Sequence, residues 1–257
     1  KGLDLGTGKV TEEEMEGVPH HMLDVVEPNQ PYSVADFQAG AYAAIDDILA
    51  RGRTPFLVGG TGLYVRAVTE GFTFTDARPD PALRAELEGK TTEELYALLR
   101  EKTGVTLTGG EENNRHRLMR SVEKALSGRW ESPPPCPRYD CLLLGVTFPR
   151  EEVCRRIDAR LQARIDAGML DEVAELRANG ATDAFLEGLG LEYRYILRYL
   201  TGQIPTLDGL RDELGRAIKR FAKRQMVWFK KDRDVLWLDM EGDFLTQAVR
   251  AVEGFLA

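Results

Sequence analysis

The stretch Phe56-Leu57-Val58-Gly59-Gly60-Thr61-Gly62-Leu63-Tyr64 reads as an apolar strand running straight into glycines, with one threonine set among them. Just upstream, Tyr32 to Gly52 spaces Val34, Phe37, Ala41, Ala44, Ile45, Ile48 and Leu49 as one apolar helical stripe. Ser33 is placed to cap that helix and Gly52 to stop it. A helix leading into a buried strand predicts a parallel sheet covered by helices, hence an α/β fold. Glycines beyond such a strand let a ligand approach the backbone, and the next helix offers free N–H groups to an anion such as phosphate. The alternative is a strand-to-helix turn chosen for its backbone geometry.

Known phosphate patterns fail here. No lysine follows Gly62, so GxxxxGK[ST] is not matched, and Gly8-Lys9 lacks both the upstream glycine and the hydroxyl residue. The dinucleotide pattern GxGxxG fails because position 65 is valine.

From Phe72 the pattern changes to short amphipathic helices with no buried strand, which reads as an inserted helical subdomain over 75–135 between core segments 1–74 and 136–257. The last helix of the insertion ends near Gly128, and the prolines 133–135 stiffen the connector that follows. Cys141 to Phe148 then restores an apolar strand, and Val235 to Asp239 reads as another. The rest is helical, with Val153, Ile157, Leu161 and Ile165 on one face beside Arg156, Arg160 and Arg164.

Composition narrows the function classes. The 257 residues are 43% hydrophobic and 30% charged, as in ordinary globular proteins. No apolar run is long enough to span a bilayer, and a cytoplasmic protein is the expectation. Cys136, Cys141 and Cys154 form no CxxC pair, and the adjacent His20 and His21 cannot face one ion, so no metal site is expected.

Against a net charge of −8, the segment from Arg216 to Lys231 holds seven cations and no acid: Arg216, Lys219, Arg220, Lys223, Arg224, Lys230 and Lys231. With Trp228 and Phe229 alongside, such a stripe suits a polyphosphate backbone; a solvated helix face is the alternative. Arg117 and Arg120, with Arg115 and His116 at the helix start, can hold a diphosphate bidentately, or Arg120 can pair with Glu123 three residues on.

Read in order, Lys1 to Glu14 (KGLDLGTGKVTEEE), Gly17 to Pro28, Tyr32 to Gln38, Arg51 to Gly71, Asp80 to Arg84, Arg115 to Glu123, Pro149 to Arg160, Gly190 to Gly202 and Phe221 to Lys231 resemble the tRNA dimethylallyltransferase (tRNA isopentenyltransferase) family over essentially the whole chain. The resemblance implies transfer of a dimethylallyl group from dimethylallyl diphosphate to N6 of the adenosine just 3′ of the anticodon, with Mg²⁺ as cofactor. The partner it implies is the tRNA anticodon stem-loop, and a monomer is expected. Thr61, Arg117 and Arg120 are the implied catalytic residues. Implied tRNA contacts are Arg84, the run His116, Arg117, Leu118, Met119 and Arg120, and the run Ile218, Lys219, Arg220, Phe221, Ala222, Lys223, Arg224 and Gln225. Thr7, Lys9, Gly59, Gly60, Gly62 and Arg150 lie in matched motifs as further substrate contacts.

The resemblance also implies a P-loop NTPase-like (kinase-like) parallel-sheet core whose first strands, phosphate loop and general-base aspartate would lie upstream of Lys1. A truncated, inactive chain is therefore one expectation. An adenylate isopentenyltransferase acting on free nucleotide, a non-catalytic tRNA-binding remnant and, least favoured, a small-molecule kinase are the alternatives. Val227 stands where the family has threonine before the tryptophan.

Overall fold

Ser33 begins the first helix as its pattern predicts: its side chain accepts from the Asp36 amide while the Asp36 carboxylate accepts from the Ser33 amide, closing a capping box. The computed structural model describes residues 1–74, 80–107, 111–128, 130 and 133–257. The expected opening of the insertion at 75–79 and part of its connector, Glu131 and Ser132, lie outside the described residues. In chain order the helices and strands are α1 (Val34–Ala50), α2 (Gly62–Thr69), α3 (Pro81–Glu88), α4 (Thr92–Thr103), α5 (Arg115–Leu126), β1 (Leu144–Thr147) and α6 (Arg150–Asp166). There follow α7 (Met169–Ala178), α8 (Asp183–Leu189), α9 (Leu191–Leu200), α10 (Leu207–Phe229), β2 (Leu236–Asp239) and α11 (Phe244–Leu256). Contacts divide the chain into two units, one of Lys1–Thr69 with Tyr139–Ala257 and one of Glu70–Arg138.

The first unit is α/β in the coarse sense. β1 and β2 pair in parallel with Leu144 opposite Leu236, as expected for strands separated by helices. Its core gathers Leu161 of α6, Met169 and Val173 of α7, Leu186 of α8, Tyr193, Ile196 and Leu197 of α9, and Leu210 and Leu214 of α10. The long helical stretch after Pro149 is broken at Gly168, whose φ of 96° is a left-handed conformation that ends α6 and starts α7.

The expected buried strand at Phe56–Val58 does not form. The segment is outside regular secondary structure, with Phe56 74% and Val58 90% exposed. The reason is pairing: among the described residues the sheet consists of β1 and β2, which bond to each other and leave 56–58 without a ladder partner.

The Leu3–Lys9 loop is held by one carboxylate. Glu172 Oε2 accepts from the amides of Asp4 (2.9 Å) and Leu5 (2.6 Å), and Oε1 accepts from the Gly6 amide (3.0 Å) and the Tyr193 hydroxyl (2.8 Å). Burial and that carboxylate push the Tyr193 phenol far up. Removing the carboxylate strands three amides and a buried hydroxyl at once, so Glu172→Ala is expected to lower stability by about 3 kcal/mol, read as a shifted urea midpoint at constant slope.

At the start of α6, Glu152 accepts from Arg155 (2.7 Å) and Arg156 (2.6 Å), and these hydrogen bonds pull its carboxyl down to about 2. A depressed folded pKa stabilises above the ordinary value of 4.5 and loses that contribution as pH falls toward 2. The stability gap between the wild type and Glu152→Gln should therefore narrow as pH drops from 6 to 3 in parallel denaturant titrations.

In the second unit the regular elements among the described residues are all helical. Leu87 of α3, Leu95 and Leu99 of α4, and Leu118 and Val122 of α5 form its core. Asn114 caps α5 by accepting from the Arg117 amide (3.1 Å), and Gly128 follows the helix with φ 68°.

Candidate functional site

In the first unit, the threonine among the glycines opens α2: its carbonyl accepts from the amides of Tyr64 (2.9 Å) and Val65 (3.1 Å). Its side chain is exposed, and its hydroxyl makes no hydrogen bond among the described residues. The C-terminal end of α2 is tied to α1, where Gln38 donates to the Ala67 carbonyl (2.5 Å) and Tyr42 to that of Val68 (3.2 Å).

Two of the three glycines are explained by α10. Gln225 donates its side-chain amide to the Gly60 carbonyl (2.8 Å), and a Cβ on Gly60 would sit 2.5 Å from that amide nitrogen. A Cβ on Gly62 would run into the Trp228 indole. Arg66 of α2 lies over the same indole, 5.5 Å from its centroid, and Phe229 meets it edge-on at 4.9 Å. Gly59 faces open space. The glycines at 60 and 62 thus serve close helix packing.

The outer face of α10 is cationic and unneutralised. Arg216, Arg220, Lys223 and Arg224 are exposed and form no ion pair with any described residue. Arg224 lies over the exposed Phe221 ring at 5.7 Å, presenting a flat guanidinium-aromatic surface. Other members of the expected run are differently engaged. Lys219 pairs with Asp158 of α6 (2.7 Å), and its carbonyl accepts from Arg150 (3.2 Å). Ile218 packs on the core, Ala222 is half-buried, and Gln225 points to Gly60. The basic stripe is therefore narrower than the contiguous run Ile218–Gln225, because only one side of a helix faces water.

Thr7 and Lys9 are used within their own loop. The Thr7 hydroxyl donates to the Leu3 carbonyl (2.5 Å), while the Lys9 ammonium, 16% exposed, pairs with Asp4 and with Asp24 (2.5 Å). His20 shares a hydrogen bond with the Val18 carbonyl (2.8 Å).

In the helical unit, Glu123 is the residue whose importance the sequence understated. It is 4% exposed and takes Arg84 Nε at 2.8 Å on one oxygen and Arg120 Nη1 at 3.0 Å on the other. Arg120 thus makes the intrahelical ion pair that competed with the diphosphate reading, and Arg84 shares the same carboxylate. Both arginines keep about a third of their side chains exposed, 36% and 33%. Arg115 is spent on structure, donating to the carbonyls of Glu88 (2.7 Å), Leu87 and Lys90 at the end of α3. Leu118, expected at the RNA, is fully buried, and Met119 packs against the same core, because their helix positions face inward. His116 and Arg117 are exposed on α5.

A hydroxyl at a glycine-bound turn, locked to a helix with a cationic outer face, is the arrangement to compare with known proteins. Residues 1–232 match the family model for IPP transferase. The chain belongs to that family. A tRNA dimethylallyltransferase of Symbiobacterium thermophilum is 41% identical over 253 residues, covering 94% of this chain and 78% of that protein. One from Thermobifida fusca is 39% identical over 260 residues, covering 98% and 81%. The crystal structure of a tRNA isopentenylpyrophosphate transferase from Bacillus halodurans superposes with a TM-score of 0.71 at 35% identity, over 100% of this chain and 83% of that one. A eukaryotic dimethylallyltransferase acting on tRNA, 21% identical, shares the fold with a TM-score of 0.76 over 99% of this chain and 69% of that one.

Proposed function

We propose that this chain transfers a dimethylallyl group from dimethylallyl diphosphate to N6 of the adenosine 3′-adjacent to a tRNA anticodon. The observation that carries the reading is the Thr61 loop: an exposed threonine whose hydroxyl makes no hydrogen bond among the described residues, on a turn clasped by the helix whose other side bears Arg216, Arg220, Lys223 and Arg224, unpaired among those residues. The family's relatives, named as tRNA dimethylallyltransferases, support it.

The reaction forms a bond between N6 and the allylic carbon and breaks that carbon's bond to the bridging oxygen, whose electron pair leaves with the diphosphate; the proton that N6 loses passes to solvent or to a diphosphate oxygen. A hydroxyl both donates and accepts, so Thr61 can donate to the bridging oxygen as charge develops there and accept from the amine. The cations of α10 bind the RNA backbone, and a base drawn from a loop costs less unstacking than one drawn from a duplex. From the helical unit we assign His116 and Arg117 to the RNA, together with the outer edges of Arg84 and Arg120. The finer fold reading, a kinase-like core, rests on the same resemblance.

Mg²⁺ would neutralise charge on the departing diphosphate. Among the described residues no group of three or more His, Cys, Asp or Glu side chains could hold a metal ion, and no step is assigned to Mg²⁺.

Incubation with labelled dimethylallyl diphosphate, Mg²⁺ and an anticodon stem-loop bearing adenosine 3′ of the anticodon tests the reading. Label on that adenosine supports it. Label on free AMP in preference to the stem-loop would favour the free-nucleotide alternative, and salt-sensitive RNA binding without transfer would favour a binding module.

A further inference from the structure

α10 presents two neighbouring faces with different duties. Arg220, Lys223 and Arg224 face water, whereas Gln225 and Trp228 turn inward onto the glycines either side of Thr61. Family resemblance placed Gln225 with the RNA contacts. The geometry points to another role: we propose that Gln225 is a positioning residue for Thr61, through which the seating of the RNA-binding helix sets the orientation of the reacting hydroxyl. This rests on the prenyl-transfer reading.

Peptide geometry transmits the constraint. The Gly60 carbonyl that Gln225 holds belongs to the same planar unit as the Thr61 amide nitrogen. Fixing that oxygen at 2.8 Å fixes the plane, and with it one end of the Thr61 backbone. The constraint matters because glycine on both sides otherwise allows a wide range of conformations. On the far side of Thr61, the Trp228 ring fills the space where a Gly62 side chain would be, and Arg66 stacks on it from α2. Thr61 is therefore gripped at both flanks by residues one helical turn apart on α10, while its own side chain stays exposed. Gln225 directly follows Arg224, so a phosphate drawn to the cationic face acts on the same rigid turn of helix.

Gly60 supplies an independent handle. A methyl group there would displace the Gln225 amide, which is the end of a flexible side chain. Gly60→Ala and Gln225→Ala should then break one and the same hydrogen bond, and their effects should not multiply.

The test compares the wild type with Gln225→Glu, Gln225→Ala, Gly60→Ala and the double variant Gly60→Ala/Gln225→Ala, on the full chain with the anticodon stem-loop. Gln225→Glu keeps the side chain's size but replaces the donor with an acceptor facing a carbonyl. Expected are a ten- to hundredfold loss in kcat for each single variant, stem-loop Kd within twofold, an unchanged salt slope, and a double variant no worse than the poorer single one. Gln225 variants that weaken stem-loop binding while keeping kcat would overturn the proposal and make Gln225 an RNA contact. Losses that multiply in the double variant would also overturn it.

Amide hydrogen exchange over 59–64, measured without RNA or donor, separates this inference from the prenyl-transfer reading. Faster exchange in Gln225→Glu supports the clamp, and unchanged exchange overturns it. A wild-type chain that does not transfer the prenyl group would overturn the reading of the reaction, with the exchange result still deciding the clamp.

Discussion

Thr61→Ala is expected to lower kcat for prenyl transfer by about 10²- to 10³-fold, the size of effect seen when one preorganised hydrogen-bonding group is taken from a reacting centre. Stem-loop affinity should be unchanged, because the hydroxyl lies on the loop and not on the cationic face of α10. The hydroxyl makes no hydrogen bond among the described residues, so its loss leaves no partner stranded and stability should hold within about 0.5 kcal/mol. Thr61→Ser restores donor and acceptor and should return kcat to within about tenfold of the wild type. Single-turnover transfer with saturating RNA separates the chemical step from binding. A Thr61→Ala chain with unaltered single-turnover rate would remove Thr61 from the reaction.

The triple variant Arg220→Ala/Lys223→Ala/Arg224→Ala is expected to weaken stem-loop binding by about a hundredfold or more at 0.1 M salt, and to flatten the plot of log K against log salt by about two to three units. Each of these cations is exposed and unpaired among the described residues, so each is available to displace a counterion from a phosphate. For the same reason the fold should barely notice their loss. Lys219→Ala is the internal contrast: that ammonium already pairs with Asp158 at 2.7 Å, so it adds less to the salt slope. Filter binding or fluorescence anisotropy from 50 to 300 mM salt reads both quantities. A triple variant with an undiminished slope would move the RNA surface elsewhere.

The candidate site was legible in part, and the boundary between the legible and the illegible follows the range of the interactions. The basic stripe of α10 is a matter of spacing along one helix, and its cations emerge where the periodicity puts them. The same spacing also showed Glu123 within reach of Arg120, and that ion pair forms at 3.0 Å. Nothing local announced that Arg84, 39 positions away, shares the same carboxylate. Nor did anything mark Glu172, which clasps backbone amides 166 to 168 positions distant. Backbone amides carry no sequence signature, so a carboxylate that binds them can be found only once the fold brings the two together.

By itself the amino-acid sequence determined the family, the helix of Val34–Ala50 with its Ser33 cap, the stop of α5 before Gly128, the parallel pairing expected of the strands now seen as β1 and β2, and a cationic face on α10. The family rests on the resemblance of its ordered motifs, whereas the local elements depend on periods of two and 3.6 residues and on caps, which act over a turn or two of chain. Only the tertiary structure decided that Phe56–Val58 lies outside the sheet, that Leu118 faces a core, and that the glycines around Thr61 make room for Gln225 and Trp228. Gln225 meets Gly60 across 165 residues, and a glycine in sequence shows that something must come close without saying what. The closing partner is set by how helices pack, a property of the whole core and not of the segment that it closes upon.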